Sequence, residues 1–248
     1  MLRVIGVSLC RRGQTVLDQV SLQARVGELV VVEGERGAGK STLLEIAAAL
    51  RRPDQGEVWI ADRDLTGLQR ASLPYVRRNV GYAGAAVPLL RELTLGDNLD
   101  LALAARGHAP RPARAQGARA LARLGLDSLA GRTVTALSDG ERRLVALARA
   151  LAGAPSLLVV DDPSSFLAAG DVEMVLSALL AAGQAGAAVL CASSDAAFVG
   201  AAARAGARRL RLEAGRVLAG GGPVGAPGAR RQLQLVQSIR PAAGEAGS

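Results

Sequence analysis

Two short, unbroken apolar runs stand out in the hydrophobic pattern. Leu29-Val30-Val31-Val32-Glu33 and Leu157-Leu158-Val159-Val160-Asp161 each hold four aliphatic residues and end on a carboxylate. Runs of this length read as buried strands. Leu2 to Leu9 and Val16 to Val26 instead alternate apolar with polar positions. That period predicts antiparallel strands, with Arg12-Gly13-Gln14 as the turn between them. Ser41 to Leu50, rich in Leu, Ala and Ile, predicts a helix. Arg51-Arg52-Pro53-Asp54-Gln55-Gly56 closes it with turn chemistry, and Glu57 to Ala61 reads as another strand.

Between the first apolar run and that helix lies Gly34-Glu35-Arg36-Gly37-Ala38-Gly39-Lys40-Ser41-Thr42. It fits the G-x-x-x-x-G-K-[ST] pattern of a phosphate-binding loop, in the strand-loop-helix context the pattern needs. Glycines let the backbone wrap closely around a phosphate with N–H groups pointing inward. The helix N-terminus adds partial positive charge. Lys40 is placed to reach the β- and γ-phosphates, and the Ser41 hydroxyl to ligate Mg²⁺. Of the 30 basic residues, Lys40 is the one lysine; all others are arginine. A compact ammonium fits a phosphate cradle where a forked guanidinium does not.

Composition narrows the reading. The 248 residues suffice for one full α/β domain with a subdomain. Half are hydrophobic, largely alanine, and only 2% are aromatic, so the core must be aliphatic. The net charge of +8 comes from scattered arginines. A nucleic-acid-linked ATPase would need an aromatic-plus-basic face, which five aromatics in total do not provide; no nucleic acid is expected as partner. Cys10 and Cys191 are far apart, without a CxxC or Cys/His cluster, which points to a reducing compartment and no structural zinc. The N-terminal apolar run is too short for a signal peptide. The longest apolar stretch, Ala178 to Ala192, is interrupted by Gly183, Gln184 and Gly186.

The phosphate loop, the preceding Val26-Gly27-Glu28 and the following Pro53-Asp54-x-Gly56-Glu57-Val58 resemble an ATP-binding cassette (ABC) ATPase. Leu137-Ser138-Asp139-Gly140-Glu141 resembles the family's signature motif, and Leu157 to Asp161 its Walker B strand. The resemblance runs from about Leu2 to about Leu218. Arg77-Arg78-Asn79-Val80-Gly81-Tyr82 and Leu89 to Asn98 are similar to the branch serving cell division, lipoprotein release and macrolide export. It implies an α/β fold of the P-loop NTPase, ABC type. That fold has a mixed sheet core, an antiparallel β subdomain and a helical subdomain at about 86–155, with Leu99 to Leu137 helical around a loop at His108 to Pro112. The ATP-binding domain would span 1–219. Residues 220–248, rich in Gly, Pro and Arg, are expected to be a poorly ordered tail.

The resemblance also assigns roles. Gly34, Glu35, Arg36, Gly37, Ala38, Gly39, Lys40, Ser41 and Thr42 would hold ATP. Ser41 and Asp161 would hold Mg²⁺. Arg11, near the place of the family's adenine-stacking aromatic, would stack by a cation–π-type contact. Leu137, Ser138, Asp139, Gly140 and Glu141 would face the ATP of a second cassette. Asp162 takes the place of the glutamate that orients the attacking water. Its carboxylate is withdrawn by about 1.5 Å, one C–C bond. Ala85 replaces the glutamine that reaches metal and water, and Ser194 the histidine at the γ-phosphate. Ala168 replaces an aspartate coupling the two sites, and Asp139 puts a carboxylate where the signature has glycine. His108, the chain's one histidine, reads as a solvated loop residue.

The expected function is therefore a nucleotide-binding subunit of an ABC transporter or related membrane complex, with weak or absent hydrolysis of its own. Its expected partners are an integral-membrane permease, docked at Val87 to Leu103, and a second cassette, with a heterodimer slightly favoured. The place implied is cytoplasmic, on the inner face of the cell membrane. The alternative is a non-catalytic scaffold that regulates such a complex without turnover.

Overall fold

The computed structural model describes residues 2–218; the 220–248 segment lies outside them. In chain order the elements are β1 (Leu2–Arg11), β2 (Gln14–Ala24), β3 (Leu29–Glu33), α1 (Lys40–Ala47), β4 (Gln55–Ile60), β5 (Arg63–Asp64), α2 (Leu73–Arg77) and β6 (Val80–Ala83). Then come α3 (Leu95–Ala105), α4 (Pro110–Ala122), α5 (Asp139–Leu151), β7 (Leu157–Asp161), α6 (Ala169–Gln184), β8 (Ala188–Ser193), α7 (Ala196–Arg204), β9 (Arg208–Glu213) and β10 (Arg216–Leu218). One sheet is antiparallel, in the order β2-β1-β4-β5; the central one runs β10-β9-β3-β8-β7-β6. From β9 to β6 its pairings are parallel, and only the β9–β10 edge is antiparallel. The fold is the α/β class with a mixed sheet that the sequence predicts.

The two apolar runs form strands with the predicted limits, because each feeds two cores. Leu29 and Val31 face the helices α3 to α7 together with Leu158 and Val160. Val30 and Val32 face α1 and the antiparallel sheet together with Leu157 and Val159. A period-2 strand buried on both sides must be apolar at every position.

Several boundaries differ from the sequence expectation. Helix α1 stops at Ala47 rather than Leu50; Ala49 adopts a φ of 59°. Arg77 then donates from Nε and Nη2 to the Ala49 carbonyl, at 3.0 and 2.7 Å. The following strand starts at Gln55, not Glu57, since Gln55 pairs with Ser8. The β1–β2 turn is tighter than expected, only Arg12-Gly13, both at positive φ. Pro110 to Pro112 are not loop: they open α4. Proline suits a first helical turn, where no N–H is required and φ is already set. The helical region is wider than Leu99 to Leu137, from the Thr94 cap of α3 to Leu151. His108 is half-buried against Gly153 rather than solvated.

Two arginines tie this helical region to the central sheet without any carboxylate. Arg149 is 8% exposed and donates to the Pro88 carbonyl at 2.8 Å and to the Val87 carbonyl. Arg106 donates to the Ala152 carbonyl and, at 3.2 Å, to that of Val80. Burial pushes the Arg106 guanidinium down to about 10, helped by the positive charge of Arg149. Opposite Arg149, Asn98 accepts from the Leu90 N–H at 2.8 Å and donates to the Leu90 carbonyl at 3.0 Å. The Val87–Leu90 segment is thus clamped at both ends. Arg149→Met keeps an apolar stem but leaves the two carbonyls without their donor. The expected loss is about 2 kcal/mol, the usual effect of removing charge-assisted bonds to backbone. Urea unfolding measures it, and a loss below about 0.5 kcal/mol would show that water substitutes for the guanidinium.

Candidate nucleotide site

The loop joins the end of β3 to α1, and packing forces two of its three glycines, Gly34 and Gly39. Gly39 has a φ of 100°, and a Cβ there would stand 2.7 Å from the Val16 carbonyl oxygen and 2.9 Å from Leu17 Cδ2. A Cβ on Gly34 would collide with the Leu212 backbone. β2 and the sheet edge therefore brace the loop from behind and leave its inner side for a ligand. Lys40 Nζ donates to the Gly34 and Glu35 carbonyls at 2.7 and 2.8 Å, which curls the loop around the ammonium. Burial lowers the Lys40 pKa, while Asp162 and then Asp161 oppose the shift.

Asp161 ends β7 with its carboxylate against the Ser41 hydroxyl, on the first turn of α1. Burial raises its pKa and the neighbouring Asp162 adds to that; Ser41, Arg143 and Lys40 work the other way. Arg143, from α5, also donates to the Asp161 carbonyl at 3.0 Å. A hydroxyl and one carboxylate are a donor set suited to Mg²⁺, which keeps several waters and binds through one or two carboxylates plus phosphate oxygens. Ser41 and Asp161 are the residues that could hold it.

Asp162 follows, its carboxylate near enough to Lys40 and Asp161 to act on the charge of both. Its φ is 52°, and its N–H donates to the Ala192 carbonyl at 2.8 Å. Its carboxylate accepts from Ser165 Oγ and, at 3.5 Å, from Ser193 Oγ. Ser194 is exposed, and Asp195 caps α7 by accepting from the Ala197 N–H at 2.9 Å. The Ser164 hydroxyl, followed by the Ala197 and Phe198 amides, holds the Asp195 carboxyl below its usual range. Ala85 is exposed beyond β6. Arg11 is exposed at the end of β1, opposite Gln14; the part of that hairpin touching the loop is Val16-Leu17.

The Leu137–Glu141 motif sits at the start of α5. Ser138 Oγ accepts from the Glu141 N–H at 3.2 Å, and Glu141 Oε2 accepts from both the N–H and the hydroxyl of Ser138 at 2.8 Å. This reciprocal cap fixes the start of α5. Asp139 pairs with Arg142 at 2.8 Å, so its charge is partly compensated within its own helix. Gly140 is required by the loop after Asp162: a Cβ would stand 2.7 Å from the Phe166 carbonyl oxygen. Phe166 itself is 73% exposed with a φ of 64°. Sequence reasoning gave no role to Tyr82, Arg143 or Phe166; an aromatic in a chain with so few was the available signal.

A glycine loop braced between a buried strand and a helix, with a carboxylate brought to the helix's first hydroxyl, defines a P-loop nucleotide-binding protein. The chain belongs to the ABC transporter family, whose model matches residues 17–165. It is 38% identical to the lipoprotein-releasing system ATP-binding protein LolD of Granulibacter bethesdensis over 168 residues, covering 67% of this chain and 73% of that one. It is 32% identical to the cell division ATP-binding protein FtsE of Escherichia coli K12, covering 74% of this chain and 82% of that one. Among solved structures, a dimeric bacterial ABC transporter cassette superposes with a TM-score of 0.81 at 28% identity, covering 88% and 96% of the two chains. A dimeric post-hydrolysis cassette bound to ADP and phosphate gives 0.80 at the same identity and coverage. The chain is an ABC-type ATP-binding subunit of the kind that LolD and FtsE represent.

The raised Asp161 pKa makes a testable statement about stability. A carboxyl whose folded pKa is raised favours folding below its unfolded pKa and loses that contribution as pH rises through the folded value. Charged Asp161 therefore opposes folding at neutral pH. Asp161→Asn should raise the Tm of the nucleotide-free protein at about pH 7.5, and the gain should shrink towards about pH 4. Differential scanning fluorimetry across that range checks it. An equal or lower Tm for the variant at neutral pH would refute the assignment.

Proposed function

We propose that this chain binds MgATP through Gly34–Thr42 and Asp161, pairs with a second cassette, docks on a permease and hydrolyses ATP weakly or not at all. The carrying observation is the contrast within one site. Loop, Lys40 and the Ser41–Asp161 pair stand in working order, while the positions around attacking water hold Ala85, Asp162 and Ser194. Loop amides and Lys40 would neutralise the β- and γ-phosphates, and Ser41 and Asp161 would hold Mg²⁺, which supplies further positive charge there. Asp162, already bonded to Ser165 and Ser193, is poorly aimed as a base. Misplacement on the order of 1 Å can cost about a hundredfold in rate. The same bonds favour the second reading, a scaffold that binds nucleotide and regulates a complex without turnover.

The docking surface we assign is Val87 to Leu103. There Leu90, on the segment clamped by Arg149 and Asn98, is 47% exposed, and Leu101, on α3, is 53% exposed. Attachment to the inner face of the cell membrane would run through that partner, as no helix among the described residues is long and apolar enough to cross a membrane.

Fluorescent-nucleotide titration should show tight binding, strongly weakened in Lys40→Ala; equal affinities would make the loop vestigial. Steady-state turnover of the isolated chain should be depressed on the order of a thousandfold, since removing one transition-state contact typically costs about 2.7–4 kcal/mol and losses within one unit do not add. Ala85→Gln, Asp162→Glu and Ser194→His together should raise turnover more than any single change. An unchanged rate in the triple variant would refute this account.

Partner choice follows from the same residues. A complete second cassette would supply a glutamate, glutamine and histidine to one of two shared sites, whereas a homodimer would have them in neither. Co-purification from the native source should recover a different cassette. Recovery of self-dimers alone would overturn the asymmetric pairing.

A further inference from the structure

The position left by the missing glutamine has a neighbour that could take part of its place. Tyr82 lies on β6, opposite Val159 of β7 in the parallel register. Its ring packs among Leu43, Leu44, Leu157 and Val159, between sheet and α1. Residues two apart share one strand face, so the side of Tyr82 continues upward through position 84, next to Asp161. Position 84 is glycine. A Cβ there would stand 2.6 Å from the Tyr82 hydroxyl and 3.0 Å from Asp161 Cβ. The hydroxyl therefore fills the side-chain space of residue 84, and both it and Asp161 border one point.

The chemistry of that hydroxyl is defined by what faces it. The Ala86 N–H points at its oxygen, while Asp161 and Glu45 supply negative charge nearby. Burial first, then Asp161 and Glu45, push the phenol pKa up. The phenol O–H is a neutral donor, and it borders the same point as Asp161, one of the two residues assigned to the metal.

Resting on the MgATP reading above, we infer that the Tyr82 hydroxyl is a positioning donor to the ligand shell of the divalent ion held by Ser41 and Asp161. It would orient a metal-bound water or a phosphate oxygen, the half of the glutamine's task that a neutral donor can perform. Gly84 makes room for it. It would not restore the contact to attacking water, so it accompanies slow turnover rather than replacing the lost machinery.

The test compares ATP affinity of the full chain in EDTA and in excess Mg²⁺. In EDTA, Tyr82→Phe should bind ATP as the wild type does, because loop and Lys40 are untouched. In Mg²⁺, it should lose about tenfold of the gain that the metal gives, the effect of one charge-assisted hydrogen bond. Gly84→Ala, which keeps the hydroxyl but displaces it, should lose a similar part. Adding Ala85→Gln to Tyr82→Phe should recover some of it. Tyr82→Phe retaining the full Mg²⁺ gain would overturn the inference. If Mg²⁺ gave the wild type no gain while Lys40→Ala still abolished binding in EDTA, the metal role of Asp161 would fail, and this inference with it. Thermal melts of the variants verify that the ring alone maintains the fold.

Discussion

Parallel pairing of three strands buried on both faces sets the geometry of everything else. β3, β8 and β7 lie side by side and end at the same edge of the sheet. The polar residue that follows each apolar run emerges there: Glu33 and the phosphate loop from β3, Asp161 and Asp162 from β7, Ser193 to Asp195 from β8. Open α/β sheets bind ligands at this carboxyl edge. Because neither side of these strands meets water, no face can shift or rotate to relieve strain at the edge. Ser41 and Asp161 meet because α1, which carries Ser41, packs on β7, which ends in Asp161.

That constraint explains what the sequence made legible. A strand with two cores has four apolar residues in succession and a polar stop, so β3 and β7 were read with their true limits. The phosphate loop was legible because its glycines are required by contact: Gly34 and Gly39 touch the backbones of β9 and β2. The family resemblance added the pairing of Ser41 with Asp161, residues too far apart in sequence for any periodicity to join.

Misreadings fall where tertiary contacts override local pattern. Alanine continues a helix by propensity, yet α1 ends early because Arg77 binds the Ala49 carbonyl from another element. Prolines suggested a loop at His108 to Pro112, but a helix start tolerates them. Tyr82 stood in the Arg77–Tyr82 motif without a role, since its interest depends on a side chain that Gly84 lacks.

On the proposed reading, the site divides into a phosphate cradle and a hydrolytic half that holds Ala85, Asp162 and Ser194. Ala85 and Ser194 are exposed at the rim, where they leave the strands and the loop undisturbed, and the fold matches dimeric cassettes closely. The most direct measurement is the chemical state of nucleotide recovered from the isolated chain after incubation with MgATP. The account predicts that bound nucleotide is still ATP over many minutes. ADP and phosphate accumulating at about 1 s⁻¹ or faster, an ordinary enzymatic rate, would contradict it.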